Sequence, residues 1–189
     1  MPSPSQTRLC MMTFMTLTIR EGGPDDLPLI LGMLDSCVEW LTAQGRTGQW
    51  GTKPLSENPK VAESVAGYME RGRTYIAEAD GVPAATLTLS AAPGPYLSHL
   101  PSPGEPERYI HWLASDRRFK GRGAGAALLA HAAEVTREAG VSLLRVDCYA
   151  GDDRKLVAYY EANGFTPTQT YTSGEQNDWP GQVLARRVR

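Results

Sequence analysis

The strongest constraint on this chain is the stretch Arg117-Arg118-Phe119-Lys120-Gly121-Arg122-Gly123-Ala124-Gly125-Ala126-Ala127-Leu128-Leu129. An apolar, β-rich run from Tyr109 to Ala114 precedes it, and an Ala/Leu-rich helical run from Ala126 to Ala139 follows. A strand, a basic glycine-rich turn and a helix start together present unpaired backbone N–H groups and the positive end of a helix dipole to an anion. Three glycines at alternate positions remove Cβ atoms where a backbone has to approach a phosphate closely. Arg117, Arg118, Lys120 and Arg122 crowd positive charge into the same turn. The stretch reads as a pyrophosphate cradle. The plain alternative is a glycine-rich connection under a solvated charge cluster.

That charge is local, because the whole chain of 189 residues carries a formal net charge of only −2. Non-specific nucleic-acid binding, which needs a broadly basic surface, is therefore not expected. Cys10, Cys37 and Cys148 are odd in number, far apart and form no C-x-x-C pair, and the three histidines are scattered. The expectation is no disulfide framework, no metal site and a reducing cytoplasm. No apolar run reaches the ~20 residues of a membrane helix. Residues 1–14 lack the features of a signal peptide and read as a disordered extension, leaving 15–189 as one domain.

Along the chain, Leu17 to Arg20 alternates as a strand, and Leu27, Ile30, Leu31, Leu34, Val38 and Leu41 recur at helical spacing until Gly45. Asn58-Pro59 starts a second helix that ends near Arg71. Thr74–Ala79, Asp80-Gly81 and Val82–Leu89 read as a hairpin with a two-residue turn. Pro93 to Pro106 holds five prolines and reads as an irregular excursion shaping a substrate mouth. A strand then leads into the cradle and its helix. Leu143–Cys148 is a further strand, Asp152 caps a short helix from Arg154 to Ala162, and two closing strands follow. The order predicts a mixed α/β fold.

Three ligands compete for the cradle. A P-loop requires Gly-Lys-Ser/Thr, which occurs nowhere. A dinucleotide fingerprint is present as Gly121-x-Gly123-x-x-Ala126, with Asp147 near the place of a ribose-binding acid. Too few strand–helix repeats follow for a doubly wound sheet, so a dinucleotide-binding oxidoreductase is a remote alternative. The third ligand is an acyl-coenzyme A. The cradle resembles the Q/R-x-x-G-x-G/A signature of the Gcn5-related N-acetyltransferase (GNAT) superfamily, with Lys120, Gly123 and Gly125 in register, or Arg118, Gly121 and Gly123 in a shifted frame. Tyr160-Glu161-Ala162-Asn163-Gly164-Phe165 is similar to that family's second signature, one helix and one strand downstream. Trp40-Leu41, Gln49-Trp50 and Leu144 to Tyr149 resemble a bacterial, small-molecule-type branch.

The resemblance implies the acyl-CoA N-acyltransferase fold: a central, mostly antiparallel twisted sheet with one splayed parallel pair, flanked by about four helices. It implies acetyl-CoA as co-substrate, held by Leu113, Ala114 and Ser115 on the strand edge and by Arg118 and Lys120 to Ala126 (Gly121, Arg122, Gly123, Ala124, Gly125) in the cradle. Asp153 stands where the family often has the asparagine that opens the last helix. Backbone N–H groups from Arg122 through Ala126 are expected to take the pyrophosphate. A backbone N–H at the strand end is expected to stabilise the oxyanion, typically worth ~2.7–4 kcal/mol. Tyr160 is the implied acid for the leaving thiolate, and Tyr159 is expected to be packing.

A simple alkyl amine of pKa near 10.4 costs roughly 4.6 kcal/mol to neutralise at pH 7, so a base helps. His111 is the first candidate, on the face that alternation shares with Tyr109 and Leu113; Glu107 and Asp147 follow. Asp147 can instead bind a cationic substrate or pair with Arg145. Glu39, Trp40, Gln49 and Trp50 are the candidate substrate contacts, as an aromatic wall with an anionic patch. The expected partner is a small-molecule amine, with no nucleic acid and no membrane, and a homodimer as the family's common form. A protein or peptide acceptor and a non-catalytic acyl-CoA module are the alternatives.

Overall fold

The computed structural model describes residues 16–151, 153–174 and 178–189. The expected extension at 1–14 and the expected cap Asp152 lie outside them. The strands are β1 (Leu17–Glu21), β2 (Arg73–Ala79), β3 (Val82–Ser90), β4 (Glu107–Ser115), β5 (Leu143–Tyr149), β6 (Thr166–Ser173) and β7 (Trp179–Arg187). They form one sheet in the order β1-β2-β3-β4-β5-β7-β6, antiparallel except for the pair β4 and β5. Four α-helices are described: α1 (Leu27–Ala43), α2 (Pro59–Arg71), α3 (Ala124–Glu138) and α4 (Lys155–Ala162). This is the mixed α/β architecture that the element order predicts.

Local chemistry sets the boundaries. Asn58 Oδ1 accepts from Lys60 N at 3.1 Å and Pro59 opens α2, so the helix begins where an orphan donor finds its cap. Asp80 and Gly81 both have positive φ, the conformation a two-residue hairpin turn requires. The sheet separates two layers. On one face Ile110, Leu144 and Val146 meet Leu128 and Leu129 of α3 and Val157 and Tyr160 of α4. On the other, Ala114 meets Ile30, Leu34 and Val38 of α1 and Val65 of α2.

Two irregularities create the site. β4 and β5 pair only from Glu107–Leu143 to Ile110–Val146. Beyond that rung β4 stays with β3 as far as Ser115, while β5 stays with β7 as far as Tyr149. The parallel pair therefore opens into a V.

The second irregularity is a bulge in β4. Thr88 opposes His111 and Thr86 opposes Ala114, so Leu87 alone faces both Trp112 and Leu113. Trp112 takes a φ of 52°, a conformation that costs a bulky residue about 1–3 kcal/mol. The extra residue resets the alternation. Ile110 and Leu113 both pack towards α3, whereas Trp112 and Ala114 pack towards α1. Leu113 is thus on the face opposite His111, contrary to strict alternation.

Candidate active site

The turn after β4 has the geometry of an anion cradle. Gly121 and Gly123 have φ of 77° and 81°, and Gly123 is the N-cap of α3. The first helical bond runs from Ala127 N to Gly123 O at 2.9 Å, so the amides of Ala124, Gly125 and Ala126 precede the ladder. Arg122 N donates to Phe119 O at 3.1 Å, which removes that amide from the expected set. Gly125 is a matter of space. A Cβ there would lie 2.6 Å from Tyr159 Oη and 3.0 Å from Ser115 Oγ.

The four cations of the turn divide. Arg118 holds Asp116 through Nε and Nη2 at 2.7 to 3.1 Å, and Asp116 also accepts from Arg118 N at 2.9 Å. That guanidinium keeps the Asp116 carboxyl below the usual range. Arg117 lies over the Trp40 ring at 3.8 Å, and Lys120 Nζ stands 4.7 Å from the same ring. Trp40 is therefore a platform for the basic turn and not part of a wall with Asp147. Lys120 and Arg122 are exposed.

Past the last β4–β5 rung, the side of β4 from His111 to Ser115 has no β5 partner. Ala114 is buried and Leu113 and Ser115 are half-buried there. Cys37 Sγ of α1 donates to Ser115 O at 3.3 Å and steadies the strand end. Amides at a helix start, a channel where a Cβ would clash, and an unpaired strand edge together fit a pyrophosphate with an extended amide-bearing arm.

On the α1 side of the V stands Asp147. Tyr96 and Tyr109 each donate a phenol proton to its Oδ1 at 2.9 Å, and Tyr171 donates to Oδ2. Burial raises the Asp147 pKa, while the three phenols pull it down. Arg145, the partner in one of the alternative readings of Asp147, is taken elsewhere. Arg145 Nη1 donates to Glu107 Oε2 at 3.1 Å and Nη2 to Gln169 Oε1 at 3.2 Å. Glu107 is buried in that ion pair at the first rung of β4, the end away from the V.

His111 is 6% exposed and stacks on Tyr68 with ring centroids 3.9 Å apart. Its Nε2 lies 2.8 Å from Ser90 Oγ and 3.2 Å from Ala92 O. Burial pushes its pKa down to about 4, so the ring is neutral near pH 7.

Tyr160 is buried, edge-on to Phe165 and Tyr159. Burial, with Cys148, Tyr159 and Asp147 nearby, holds its phenol protonated well above the ordinary range. Tyr159 is 36% exposed and reaches Gly125, so it faces the cradle and is not mere packing.

The α1–α2 connection closes over the V. Trp179 Nε1 donates to Gln49 O at 2.9 Å, and Arg46 Nη2 pairs with Asp153 Oδ1 at 3.0 Å. Asp153 also accepts at 3.1 Å from the N–H of Lys155, the first residue of α4, whose N-cap is Arg154. Gly48 sits against Tyr149, where a Cβ would lie 2.2 Å from the phenol oxygen. Trp50 turns into the α1 layer. Glu39 lines a surface groove with Asp35, Thr42 and Pro54 and does not reach Asp147. The aromatic wall beside Asp147 is instead Tyr96, Tyr171, Trp179 and Tyr149, which sequence reading did not assemble. Among the described residues, no three His, Cys, Asp or Glu side chains cluster to hold a metal, and no helix is long and apolar enough to cross a membrane.

Comparison with known proteins agrees with this fold. The N-acetyltransferase YesJ of Bacillus subtilis (strain 168), itself uncharacterized, is 29% identical over 143 residues, covering 75% of this chain and 77% of its own. The Escherichia coli ribosomal-protein-S18-alanine N-acetyltransferase superposes with a TM-score of 0.64 at 19% identity, covering 92% and 94% of the two chains. The Salmonella typhimurium protein yncA, solved with its cofactor acetyl-CoA, gives a TM-score of 0.61 at 14% identity over 92% and 94%. A model described as the acetyltransferase (GNAT) family matches residues 34–165, and the chain therefore belongs to that family of N-acetyltransferases.

Proposed function

We propose that this enzyme moves an acetyl group from acetyl-CoA to the amine of a small molecule by direct attack on the thioester. The observation that carries the small-molecule reading is the closure of the acceptor side. The α1–α2 loop is pinned to β7 through Trp179 and Gln49 and to the start of α4 through Arg46 and Asp153. The 91–106 excursion is pinned to β5 through Tyr96 and Asp147. Such walls suit a compact molecule better than a polypeptide laid along a groove.

Bound in the cradle, acetyl-CoA supplies an acetyl group already activated as a thioester. The amides of Ala124, Gly125 and Ala126 would hold its pyrophosphate, with Lys120 and Arg122 adding charge. The edge of β4 left without a β5 partner would pair with the extended arm. The bulge at Trp112 interrupts the β3–β4 ladder beside the V, and a backbone N–H of β4 there would stabilise the negative charge that develops on the reacting carbonyl. Tyr160, protonated and near Cys148 at the end of β5, would give its proton to the departing sulfur, and the proton that the acceptor amine releases to solvent as the amide forms would restore the phenol. Tyr159 lines the channel beside Gly125. His111, committed to Ser90 and Ala92 and held near pKa 4, is too weak a base to serve near neutral pH.

The test is free-thiol release from acetyl-CoA across a panel of amines, amino acids and amine-bearing antibiotics, beside peptides with free N-termini. Thiol release on small amines with none on peptides supports the reading; the reverse overturns it. Tyr160→Phe should lower kcat at least tenfold with the KM for acetyl-CoA unchanged. Tyr159→Phe should do the opposite, raising that KM with kcat little altered. An unchanged kcat in Tyr160→Phe would remove the acid role.

A further inference from the structure

The carboxylate of Asp147 is arranged unlike an ordinary buried acid. Three neutral phenols donate to it, from Tyr96, Tyr109 and Tyr171, and three donors aimed at its two oxygens favour the ionised form. Those bonds use three of its roughly four acceptor positions. Among the described residues no Lys, Arg or His pairs with it, since the nearby Arg145 is held by Glu107. Enclosing an anion without a cation is costly, and phenol bonds offset only part of that cost.

The surroundings supply what a cation would need. Tyr96 and Tyr171 have ring centroids 6.2 Å apart, Tyr171 and Trp179 6.2 Å, and Tyr149 and Trp179 5.3 Å. These rings come from the 91–106 loop, β6, β7 and β5, and they form a continuous aromatic wall. Aromatic faces attract ammonium groups, most strongly where water is excluded. The wall is reachable from solvent, with Tyr96 45% exposed. It is also held in place. Gly181 opposes both Tyr149 and Tyr171 in the sheet, and a Cβ there would lie 2.2 Å from the Tyr171 ring.

We propose that Asp147 and the Tyr96–Tyr171–Trp179–Tyr149 wall form a subsite for an organic ammonium. The acceptor then carries a positive charge beyond the nitrogen that is acetylated. This rests on the small-molecule acetyl-transfer reading, and it narrows the acceptor to diamines and related dications. Asp147 neutralises the distal charge, the rings cover its methylenes and hydrogens, and the other amine is left to attack.

The experiment uses the full-length protein saturated with acetyl-CoA. Thiol release is measured with 1,5-diaminopentane, 5-aminopentan-1-ol and pentan-1-amine. The diamine should have a kcat/KM at least tenfold above the other two, and Asp147→Asn should bring the ratio towards one. Because that variant could fold poorly, the unaltered protein is also tested with tetramethylammonium chloride and with its neutral isostere 2,2-dimethylpropane-1-ol as competitors. Tetramethylammonium should compete with the amine and the alcohol should not, at matched ionic strength. Equal kcat/KM for the three acceptors, or equal competition by the two probes, overturns the cation subsite and leaves acetyl transfer standing. If no amine releases thiol while tetramethylammonium still raises the melting temperature, the subsite stands and small-molecule acetylation falls.

Discussion

His111 carries a pH signature that follows from where it is buried. The ring is enclosed by Tyr68, Tyr109 and the Ser90–Ala92 corner, and burial lowers its pKa from 6.5 to about 4, with the Arg71 charge acting in the same direction. The unfolded chain takes up a proton below 6.5, whereas the folded chain does not until about 4. Stability from this group is therefore complete above pH 6.5 and drains away as pH falls towards 4. The loss is about 2 kcal/mol by pH 5 and roughly 3 kcal/mol by pH 4. Asp147, whose pKa is raised, acts with the opposite sign. In His111→Asn the urea midpoint should vary less between about pH 7.5 and pH 5 than in the parent protein, and the acidic limb of the kcat/KM profile should stay where it is. An undiminished stability slope would mean the ring is not held neutral, and a shifted limb would restore it as the base. Of these partners Tyr109, two residues along the same strand, was legible in the sequence; the others depend on side chains brought together by the sheet. The three phenols on Asp147 come from positions 24, 38 and 51 residues away.

At the scale of elements much more could be read, since helix starts and tight turns are written in adjacent residues. Asn58-Pro59, Asp80-Gly81 and Gly121-Arg122-Gly123 each encode their own geometry, and α3 begins within two residues of its expected start. The bulge at Trp112 could not be read, because it is a mismatch between β4 and β3 and has no local signature. The cradle glycines separate space from backbone. Gly125→Ala places a methyl against Tyr159 Oη and Ser115 Oγ while gaining about 1 kcal/mol of helix propensity. Its melting temperature should change little, and its Kd for acetyl-CoA should weaken at least tenfold by calorimetry. Gly123→Ala instead forces a Cβ into a left-handed conformation, at about 1–2 kcal/mol. That variant should lose stability as well as affinity. If Gly125→Ala binds acetyl-CoA normally, Tyr159 and Ser115 do not border the channel.

Across the whole molecule, the closure of the acceptor side depends on two tethers of different physical kind. Trp179 Nε1 to Gln49 O joins positions 130 residues apart through a part-buried hydrogen bond. Arg46 to Asp153 is an ion pair between partly exposed side chains. A hydrogen bond of the first kind is worth about 1 kcal/mol net and is largely indifferent to salt. An exposed ion pair is worth a few tenths to about 1 kcal/mol and is screened within a Debye length of ~3 Å at 1 M salt. In the intact protein the loop should therefore stay closed at any ionic strength, because one tether survives when the other is screened. Trp179→Phe keeps an aromatic ring but removes the donor, leaving the ion pair alone. Amide exchange across residues 46–51 should then accelerate several-fold as salt rises from about 0.05 to 1 M, while the same amides in the parent protein change little. The KM for the acceptor should rise in parallel, since the loop is one wall of its pocket. Exchange that stays salt-independent in Trp179→Phe would show that packing of Gly48 on Tyr149 and of Trp50 on the α1 layer holds the loop without either tether.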